Sequence, residues 1–325
     1  MKGPTSEAEF RQATPVPPRR SPTRHRGRAA LLALSTVLTG YAAMLGYFYL
    51  GQEDLIFHPR PLPAEYRFEF APREQRIEEV RVPVPGGELH ALHFRQPAPR
   101  GLVFFLHGNS GNVATWTTQI DFYRRINYDL FILDYRGFGK SRGRIDNEAQ
   151  LHADVRAAWD RVAPGYAGKP VVIYGRSLGA GLATRLARDV RPALLVLVTP
   201  YTSLIDLARI HYPIAPAWLL KYPLRSDALI GEVASPVLLL HGDRDALTPL
   251  SHARRLHALA RSPAQLRVVE GAAHGDIHVF PSYLDALAGR LRALATDTAE
   301  RAGKLAGAAG EATPAVAGTQ PGTRW

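Results

Sequence analysis

Short, continuous apolar runs recur along the chain and alternate with stretches of helical periodicity. Five such runs are GLVFFLHG, DLFILDYRG, PVVIYGRS, ALLVLVTP and PVLLLHGD, and QLRVVEG is expected to form a last strand. Continuous apolar runs of this length suit strands buried on both faces, as in a parallel sheet. Helical patterns fill the intervals, over residues 113–125, 147–162, 178–189, 250–260 and 281–295. The alternation predicts an α/β fold, with a mostly parallel central sheet flanked by helices.

Two further stretches complete the predicted sheet and its cover. RIEEVRVPVPGGELHALHF reads as a hairpin that turns at Gly86-Gly87, and its His90 and His93 are expected at the surface. Residues 201–235 follow the run ALLVLVTP and are expected to form a small lid of short helices, not a separate cap domain. The apolar side chains of this lid could contact acyl or aromatic groups, or could simply pack over the sheet.

One segment near the N-terminus is apolar enough to cross a membrane. No residue from Ala29 to Leu50 is charged, and a helix over this segment would be about 33 Å long, against a hydrocarbon core of about 30 Å. Arginines precede it, whereas Glu53 and Asp54 follow it, so the positive-inside rule predicts a cytoplasmic N-terminus and an exported folded domain. We therefore predict a signal anchor over residues 29–50. A cleaved signal peptide and a peripheral or buried helix are the alternatives, and the apolar stretch is longer than a signal peptide's.

Composition and charge divide the rest of the chain. We expect residues 1–28 to be a disordered, basic cytoplasmic tail, residues 51–302 to be the folded domain, and residues 303–325 to be a disordered C-terminal tail. The formal net charge of +11 belongs partly to the N-terminal tail, and the folded part has no nucleic-acid motif, so no nucleic-acid partner is expected. The chain has no cysteine, which excludes disulfides, thiolate catalysis and cysteine-based zinc sites.

The sequence Gly175-Arg176-Ser177-Leu178-Gly179 has the pattern G-x-S-x-G, which is weak evidence by itself. Here it follows a predicted strand and opens a predicted helix, as a nucleophilic serine on a strained strand-to-helix turn requires. Glycines suit such a crowded turn because they lack Cβ atoms, and a helix N-terminus favours developing negative charge. The alternative is a serine that caps the helix. Arg176 could meet an anionic group or form a surface salt bridge.

A nucleophilic serine needs a base and a group that orients the base, in the chain order serine, acid, histidine on this fold. The stretch LLLHGDRDALTP offers Asp243 and Asp245 after one strand, and VVEGAAHGDIH offers His274 and His278 after the last. Spacing alone leaves both choices open. His107 and Asp134 end strands and are expected to tie loops by hydrogen bonds.

Five motifs occur in a fixed order between about Leu55 and Leu294: HGNSGN, DYRGFGKS, GRSLGAG, HGDRDALTP and GAAHGD. With these motifs the chain resembles serine hydrolases of the α/β-hydrolase superfamily. It resembles most closely the membrane-anchored bud-emergence-type, or α/β-hydrolase domain-containing protein thirteen-like, group. The resemblance implies Ser177 as nucleophile, Asp245 as acid and His274 as base. It also implies an oxyanion hole formed by the backbone N–H groups of Asn109 and Leu178.

The resemblance implies a membrane-anchored serine hydrolase that cleaves ester or thioester bonds of apolar acyl substrates through an acyl-enzyme intermediate. Its expected partners are a small or lipid-like acyl substrate and, through the N-terminal helix, a membrane. The expected chemistry needs neither a metal nor an organic cofactor. Two alternatives stay open: a serine peptidase on the same fold, and a catalytically silent binding or scaffold protein.

Overall fold

The computed structural model describes residues 22–70 and 76–311. One eight-stranded sheet dominates it, and each apolar run of the sequence forms one of its strands. The strands are β1 (Arg76–Val84), β2 (Gly87–Arg95), β3 (Leu102–Leu106), β4 (Asp129–Leu133), β5 (Val171–Arg176), β6 (Leu194–Val198), β7 (Val237–Gly242) and β8 (Ala264–Val269). Their order in the sheet is β8-β7-β6-β5-β3-β4-β2-β1. The pairs β1–β2 and β2–β4 are antiparallel, and the other neighbours are parallel. The mostly parallel α/β fold is thereby confirmed.

The register brings the ends of three strands to one edge of the sheet. Leu106 at the end of β3 lies opposite Gly175 of β5, and Gly175 lies opposite Leu197 of β6. The carboxyl edge of an open α/β sheet is where such folds bind ligands. The loops after these strands are therefore neighbours in space although they are far apart in sequence.

The hairpin turns where the sequence predicts, with Gly86 at a φ of +71° between β1 and β2. The expectation that His90 and His93 lie at the surface is wrong, because both side chains are buried. The strand β2 lies inside the sheet, between β1 and β4. Phe68 stacks on the ring of His90, and Phe131 and Tyr166 contact the ring of His93, so neither ring reaches solvent.

Helices within residues 113–311 cover both faces of the sheet. The helices are α1 (Pro22–Ile56), α2 (Val113–Trp116), α3 (Ile120–Arg125), α4 (Glu148–Val162), α5 (Leu178–Val190), α6 (Leu204–His211), α7 (Ser226–Leu229), α8 (Leu250–Leu259) and α9 (Pro281–Glu311). Leu151 of α4, Leu182 of α5 and Leu256 of α8 belong to the core on one face. Ile120 of α3 and Leu287 of α9 belong to the core on the other face. The segment predicted as one helix over residues 113–125 is divided into α2 and α3.

The lid segment, residues 201–235, contains α6, α7 and single turns of 3₁₀ helix at Ala217–Leu219 and Ile230–Glu232. These are short helices, as the sequence predicts. Tyr222 is fully buried, whereas Trp218 is 76% exposed. The lid therefore both packs over the sheet and presents apolar surface.

The described residues form two compact units, which are divided in the chain between Phe48 and Tyr49. The first contains residues 29–48 of the predicted anchor, and the helical stretch Gly27–Ile56 is long and apolar enough to be a candidate membrane span. The helix α1 is longer than the predicted anchor at both ends. Charged residues limit the length that can cross a bilayer, but they do not end a helix, because Arg, Gln and Glu have high helix propensity.

The helix α9 ends at Glu311, so it takes in residues 303–311 of the tail predicted as disordered. That stretch is rich in alanine, the residue with the highest helix propensity. Helix α1 likewise takes in residues 22–28 of the tail predicted as disordered. The rest of the two predicted tails, residues 1–21 and 312–325, lies outside the described residues.

Candidate active site

Ser177 stands between β5 and α5 with φ +51° and ψ −118°, a conformation that costs a non-glycine residue on the order of 1–3 kcal/mol. The glycines on either side allow the close approach of helix to sheet. A Cβ atom on Gly175 would lie 2.5 Å from the Cβ of Ala183, and one on Gly179 would collide with the carbonyl oxygen of Leu106. Ser177 occupies the position before α5 but its side chain makes no capping hydrogen bond. The hydroxyl is therefore not used to cap the helix.

The side chain of Ser177 begins a series of hydrogen bonds. Its Oγ lies 2.8 Å from Nε2 of His274, and Nδ1 of His274 lies 2.8 Å from Oδ2 of Asp245. Asp245 is buried, and its other oxygen accepts a hydrogen bond of 2.7 Å from the backbone N–H of Thr248. With Nδ1 donating to the carboxylate, Nε2 is left to accept the serine proton. This arrangement can activate a hydroxyl as a nucleophile.

The tertiary structure separates the two acid and two base candidates. Asp243 accepts a hydrogen bond of 2.7 Å from the backbone N–H of Gly271 and so ties two loops together. His278 lies on the 3₁₀ turn after His274 and lines the same cleft. Burial, and then the charge of Arg176, lower the pKa of His278. The structure brings Asp245 and His274, not Asp243 and His278, into the series with Ser177.

One supporting residue, His241, was not predicted from the sequence. His241 is fully buried at the end of β7, where its Nε2 lies 2.7 Å from the carbonyl oxygen of Thr248 and 3.4 Å from Oδ2 of Asp245. Burial lowers the pKa of His241, so the ring is neutral and Nε2–H donates to Thr248. It braces the loop that carries Asp245. A polar residue directly after a run of buried leucines was the signal available in the sequence.

Arg176 is buried, and no salt bridge joins it to a carboxylate among the described residues. Its Nη2 donates hydrogen bonds of 2.9 Å to the carbonyl of Gly275 and 3.3 Å to that of His274. The guanidinium lies 5.1 Å from the ring centre of Trp116. Arg176 therefore positions the backbone that carries His274.

The loop after β3 lies against the serine. A Cβ atom on Gly108 would be 3.7 Å from the Cβ of Ser177. Two hydrogen bonds fix this loop to residues at and after the end of α1. The carbonyl of Asn109 accepts a hydrogen bond of 2.7 Å from the N–H of His58, and the Asn109 side chain donates one of 2.9 Å to the carbonyl of Ile56. In the part of the chain that the structure describes, the N–H groups of Asn109 and Leu178 donate to no other residue. Both remain available to an anion.

His107 and Asp134 are buried and bond to loops, as expected. Nδ1 of His107 lies 2.7 Å from the carbonyl of Gly108, and Oδ1 of Asp134 accepts 2.8 Å from the N–H of Val113. These bonds fix the two ends of the loop that contains Asn109.

A cleft of about 360 Å³ opens beside Ser177 and His274. Trp116 and Leu247 supply apolar wall, and Arg60 and Arg176 supply positive charge. Within residues 22–70 and 76–311, no group of three or more His, Asp or Glu side chains is placed to hold a metal ion. The cleft is large enough for a small ligand.

Two protein-family models match the chain. The model described as "Serine aminopeptidase, S33" matches residues 97–229, and the model described as "TAP-like protein" matches residues 217–282. Alpha/beta hydrolase domain-containing protein 17B of Homo sapiens is 31% identical over 194 residues, which are 59% of this chain and 66% of that protein. Protein 17C of Mus musculus is 31% identical over 59% of each chain. The similarity thus spans less than two thirds of the length of each relative, 66% of the first and 59% of the second.

Solved structures show the same fold. An esterase of Pyrococcus furiosus superposes with a TM-score of 0.57 at 19% identity, over 73% of this chain and 96% of that one. Est1E of Butyrivibrio proteoclasticus, solved with bound ferulic acid, gives a TM-score of 0.55 at 16% identity, over 68% of this chain and 99% of that one. Both similarities concern the arrangement of the sheet and its helices.

Proposed function

Because the chain belongs to the α/β-hydrolase superfamily, we propose that it is a serine hydrolase that cleaves ester or thioester bonds of apolar acyl substrates. The observation that carries the proposal is the hydrogen-bonded series of Ser177, His274 and Asp245 beside an open cleft. A strained turn that presents a serine hydroxyl to a histidine is arranged for nucleophilic attack and has no evident structural use.

In the proposed reaction, Nε2 of His274 takes the proton of Ser177 as Oγ bonds to the carbonyl carbon of the substrate. The carbonyl π electrons move to oxygen and form a tetrahedral oxyanion. The oxyanion collapses, the bond to the leaving alcohol or thiol breaks, and His274 returns the proton to that group. A water molecule then attacks the acyl-serine by the same steps, releasing the acid and regenerating Ser177. Side chains, backbone N–H groups and water supply every step.

The N–H groups of Asn109 and Leu178 are the proposed donors to the oxyanion. Each such donor typically stabilises the transition state by about 2.7–4 kcal/mol. Leu178 also opens α5, whose N-terminus carries a partial positive charge. Asp245 keeps the His274 ring oriented and stabilises the imidazolium that forms in each step.

The substrate class is proposed from the cleft and from the chain's surroundings. Trp116 and Leu247 offer apolar surface to an acyl group, and one structural neighbour is described as an esterase. The candidate span Gly27–Ile56 would place the enzyme on a membrane, where lipid-like acyl compounds are concentrated. The arginines before the span favour a cytoplasmic N-terminus and an exported domain.

A serine peptidase is the second candidate, because one matching family model is described as a serine aminopeptidase. Its chemistry would use the same residues on an amide bond. The short helices of residues 201–235 offer little surface to grip a peptide.

The test is labelling by a fluorophosphonate, followed by hydrolysis of matched ester, thioester and peptide substrates. Wild type is compared with Ser177→Ala and with Ser251→Ala, an exposed serine of α8. We expect labelling and ester hydrolysis in wild type and in Ser251→Ala, and neither in folded Ser177→Ala. Equal labelling of Ser177→Ala would contradict the proposal, and faster cleavage of peptides than of esters would favour the peptidase.

A further inference from the structure

The cleft beside Ser177 is lined by positive charge without a balancing carboxylate. Arg60 and Arg176 are two of its lining residues, and none of the described residues that line it is Asp or Glu. His278 adds no charge near neutral pH, because burial and the charge of Arg176 lower its pKa. Asp245 lies behind His274, where the imidazole and the N–H of Thr248 occupy its oxygens. A negative group would therefore enter this cleft against no repulsion from a lining acid.

The two arginines differ in what they already bind. Arg176 is 7% exposed and donates to the carbonyl groups of His274 and Gly275. The structure thus uses it within the protein. Arg60 is exposed at the cleft, and no ion pair joins it to a carboxylate within residues 22–70 and 76–311. Its guanidinium keeps its hydrogen-bond donors for a ligand.

The backbone of Arg60 is fixed beside the loop that contains Asn109. Its N–H donates a hydrogen bond of 3.0 Å to the carbonyl of Gly111. Its carbonyl accepts one of 2.8 Å from Nδ2 of Asn112 and one of 3.2 Å from the N–H of Gly139. Three hydrogen bonds to two separate loops leave the main chain little freedom. The side chain therefore starts from a constant position relative to the serine, as a specificity residue should.

We propose that Arg60 selects acyl substrates that carry an anionic group near the scissile bond. The inference rests on the proposed hydrolase activity and narrows its substrate class. The ester carbonyl lies at Ser177, the apolar part of the substrate contacts Trp116 and Leu247, and a carboxylate or phosphate pairs with Arg60. The planar guanidinium binds either group through two parallel N–H donors.

The anionic group can belong to the acyl part or to the leaving alcohol, and the experiment separates the two. One pair of substrates is 4-nitrophenyl glutarate, with a free carboxylate on the acyl chain, and the neutral 4-nitrophenyl valerate. The other pair is 1-butyryl-glycerol 3-phosphate and the neutral 1-butyrylglycerol. The measured quantity is the ratio of kcat/KM for the anionic substrate to that for its neutral partner. The full chain in detergent is used throughout.

Three variants are compared with wild type. Arg60→Gln removes the charge, Arg60→Lys keeps the charge without the planar fork, and Arg254→Gln removes an equal charge from an exposed position of α8 outside the cleft. We expect Arg60→Gln to lower the ratio about tenfold for at least one substrate pair. Arg60→Lys should restore part of the ratio, and Arg254→Gln should match wild type. Added salt should reduce the wild-type ratio, because this charge is exposed.

A second measurement does not depend on turnover. Rate constants of Ser177 labelling are compared for a neutral fluorophosphonate and for one that bears a carboxylate. A tenfold lower ratio of the rate constant for the anionic probe to that for the neutral probe in Arg60→Gln supports the proposal. An unchanged ratio in an enzyme that is labelled and hydrolyses esters overturns the role of Arg60 alone. Absence of both labelling and hydrolysis in wild type overturns the hydrolase proposal and, with it, this inference.

Discussion

At the scale of single residues, the selection of Asp245 over Asp243 depends on one loop. Both aspartates follow β7 and are separated by one residue, yet Asp243 binds the N–H of Gly271 and Asp245 binds His274. His241 and Thr248 hold the loop so that the carboxylate of Asp245 points at Nδ1 of His274. A buried carboxylate in this position sets the tautomer of the imidazole and stabilises its protonated form.

We predict that Asp245→Asn lowers kcat for ester hydrolysis by about 10⁴-fold. An amide cannot stabilise the imidazolium, and its NH₂ group favours the tautomer in which Nε2 carries the proton. The measurement is steady-state hydrolysis of a 4-nitrophenyl ester by the full chain, with folding checked by circular dichroism.

The matched control is Asp243→Asn, which changes the charge by the same amount two residues away. Its amide oxygen still accepts from the N–H of Gly271, so kcat should change less than about threefold by the usual range for exposed substitutions. A larger loss in Asp243→Asn than in Asp245→Asn would reverse the two assignments.

At the scale of elements, the helix α5 lies so close to the sheet that side chains are excluded at its start. Gly179 faces the carbonyl groups of Leu106 and His107, which belong to the backbone at the end of β3. The same contact brings the loop of Asn109 next to Ser177. Packing between α5 and β3 therefore determines the distance between the serine and the proposed oxyanion donors.

We predict that Gly179→Ala lowers the free energy of unfolding by about 1–3 kcal/mol and weakens fluorophosphonate labelling. The added methyl group meets main-chain atoms, which cannot rotate away. Gly289→Ala is the control, because Gly289 lies inside α9 with no atom within 4 Å of the added Cβ. That variant should gain about 0.5–1 kcal/mol from helix propensity. Urea unfolding measures the free energy of unfolding of both variants. A Gly179→Ala variant as stable as wild type would contradict the predicted collision.

The hairpin element contains a buried, pH-dependent contact. Nε2 of His93 lies 2.7 Å from the hydroxyl of Tyr166, which also hydrogen-bonds to Asp129. Burial, and then the charge of Arg95, lower the pKa of His93 to about 4. Between pH 6.5 and 4 the unfolded chain binds a proton at this position and the folded protein does not. Stability therefore decreases as the pH falls through this range.

We predict that the titration of His93 alone lowers the free energy of unfolding by about 2 kcal/mol when the pH falls from 7.5 to 5. His93→Gln, which does not titrate, should be less stable at pH 7.5 but should lose correspondingly less on acidification. Urea unfolding of both proteins at the two pH values measures the difference. Equal losses in the two proteins would show that His93 contributes nothing to the acid sensitivity.

At the scale of the whole molecule, the segment after Tyr49 connects the parts that surround the cleft. Gln52 donates to the carbonyl of Leu219 and accepts from the N–H of Lys221, which belong to the lid. Six residues later, His58 donates to the carbonyl of Asn109. The last turns of α1 are thus bonded to the lid, and the chain that follows α1 is bonded to the loop of the proposed oxyanion hole.

We predict that the folded domain lies on the exported side of the membrane and the N-terminus in the cytoplasm. The chain has no cysteine, so a single introduced cysteine reports its own location. With a membrane-impermeant maleimide on intact cells, Ser251→Cys should be labelled, and Ser6→Cys should be labelled only after lysis. The reverse pattern would contradict the charge argument, and labelling of both in intact cells would contradict a spanning helix.

The sequence by itself determined the sheet, the strand-to-helix turn and the candidate span. Each depends on residues that are near one another in the chain: continuous apolar runs for β3 to β7, glycines around Ser177, and an uncharged stretch at residues 29–50. Local patterns report whether a segment can be buried, and these segments are buried or apolar over their whole length.

The tertiary structure alone decided which side chains meet. Asp245 and His274 are 29 positions apart, and their neighbours Asp243 and His278 satisfy the same pattern. The burial of His93 follows from its contacts with Phe131 and Tyr166, and the presence of Arg60 in the cleft follows from hydrogen bonds to residues about 50 and 80 positions away. Periodicity carries no information about such distant partners, because they are selected by strand order and loop packing.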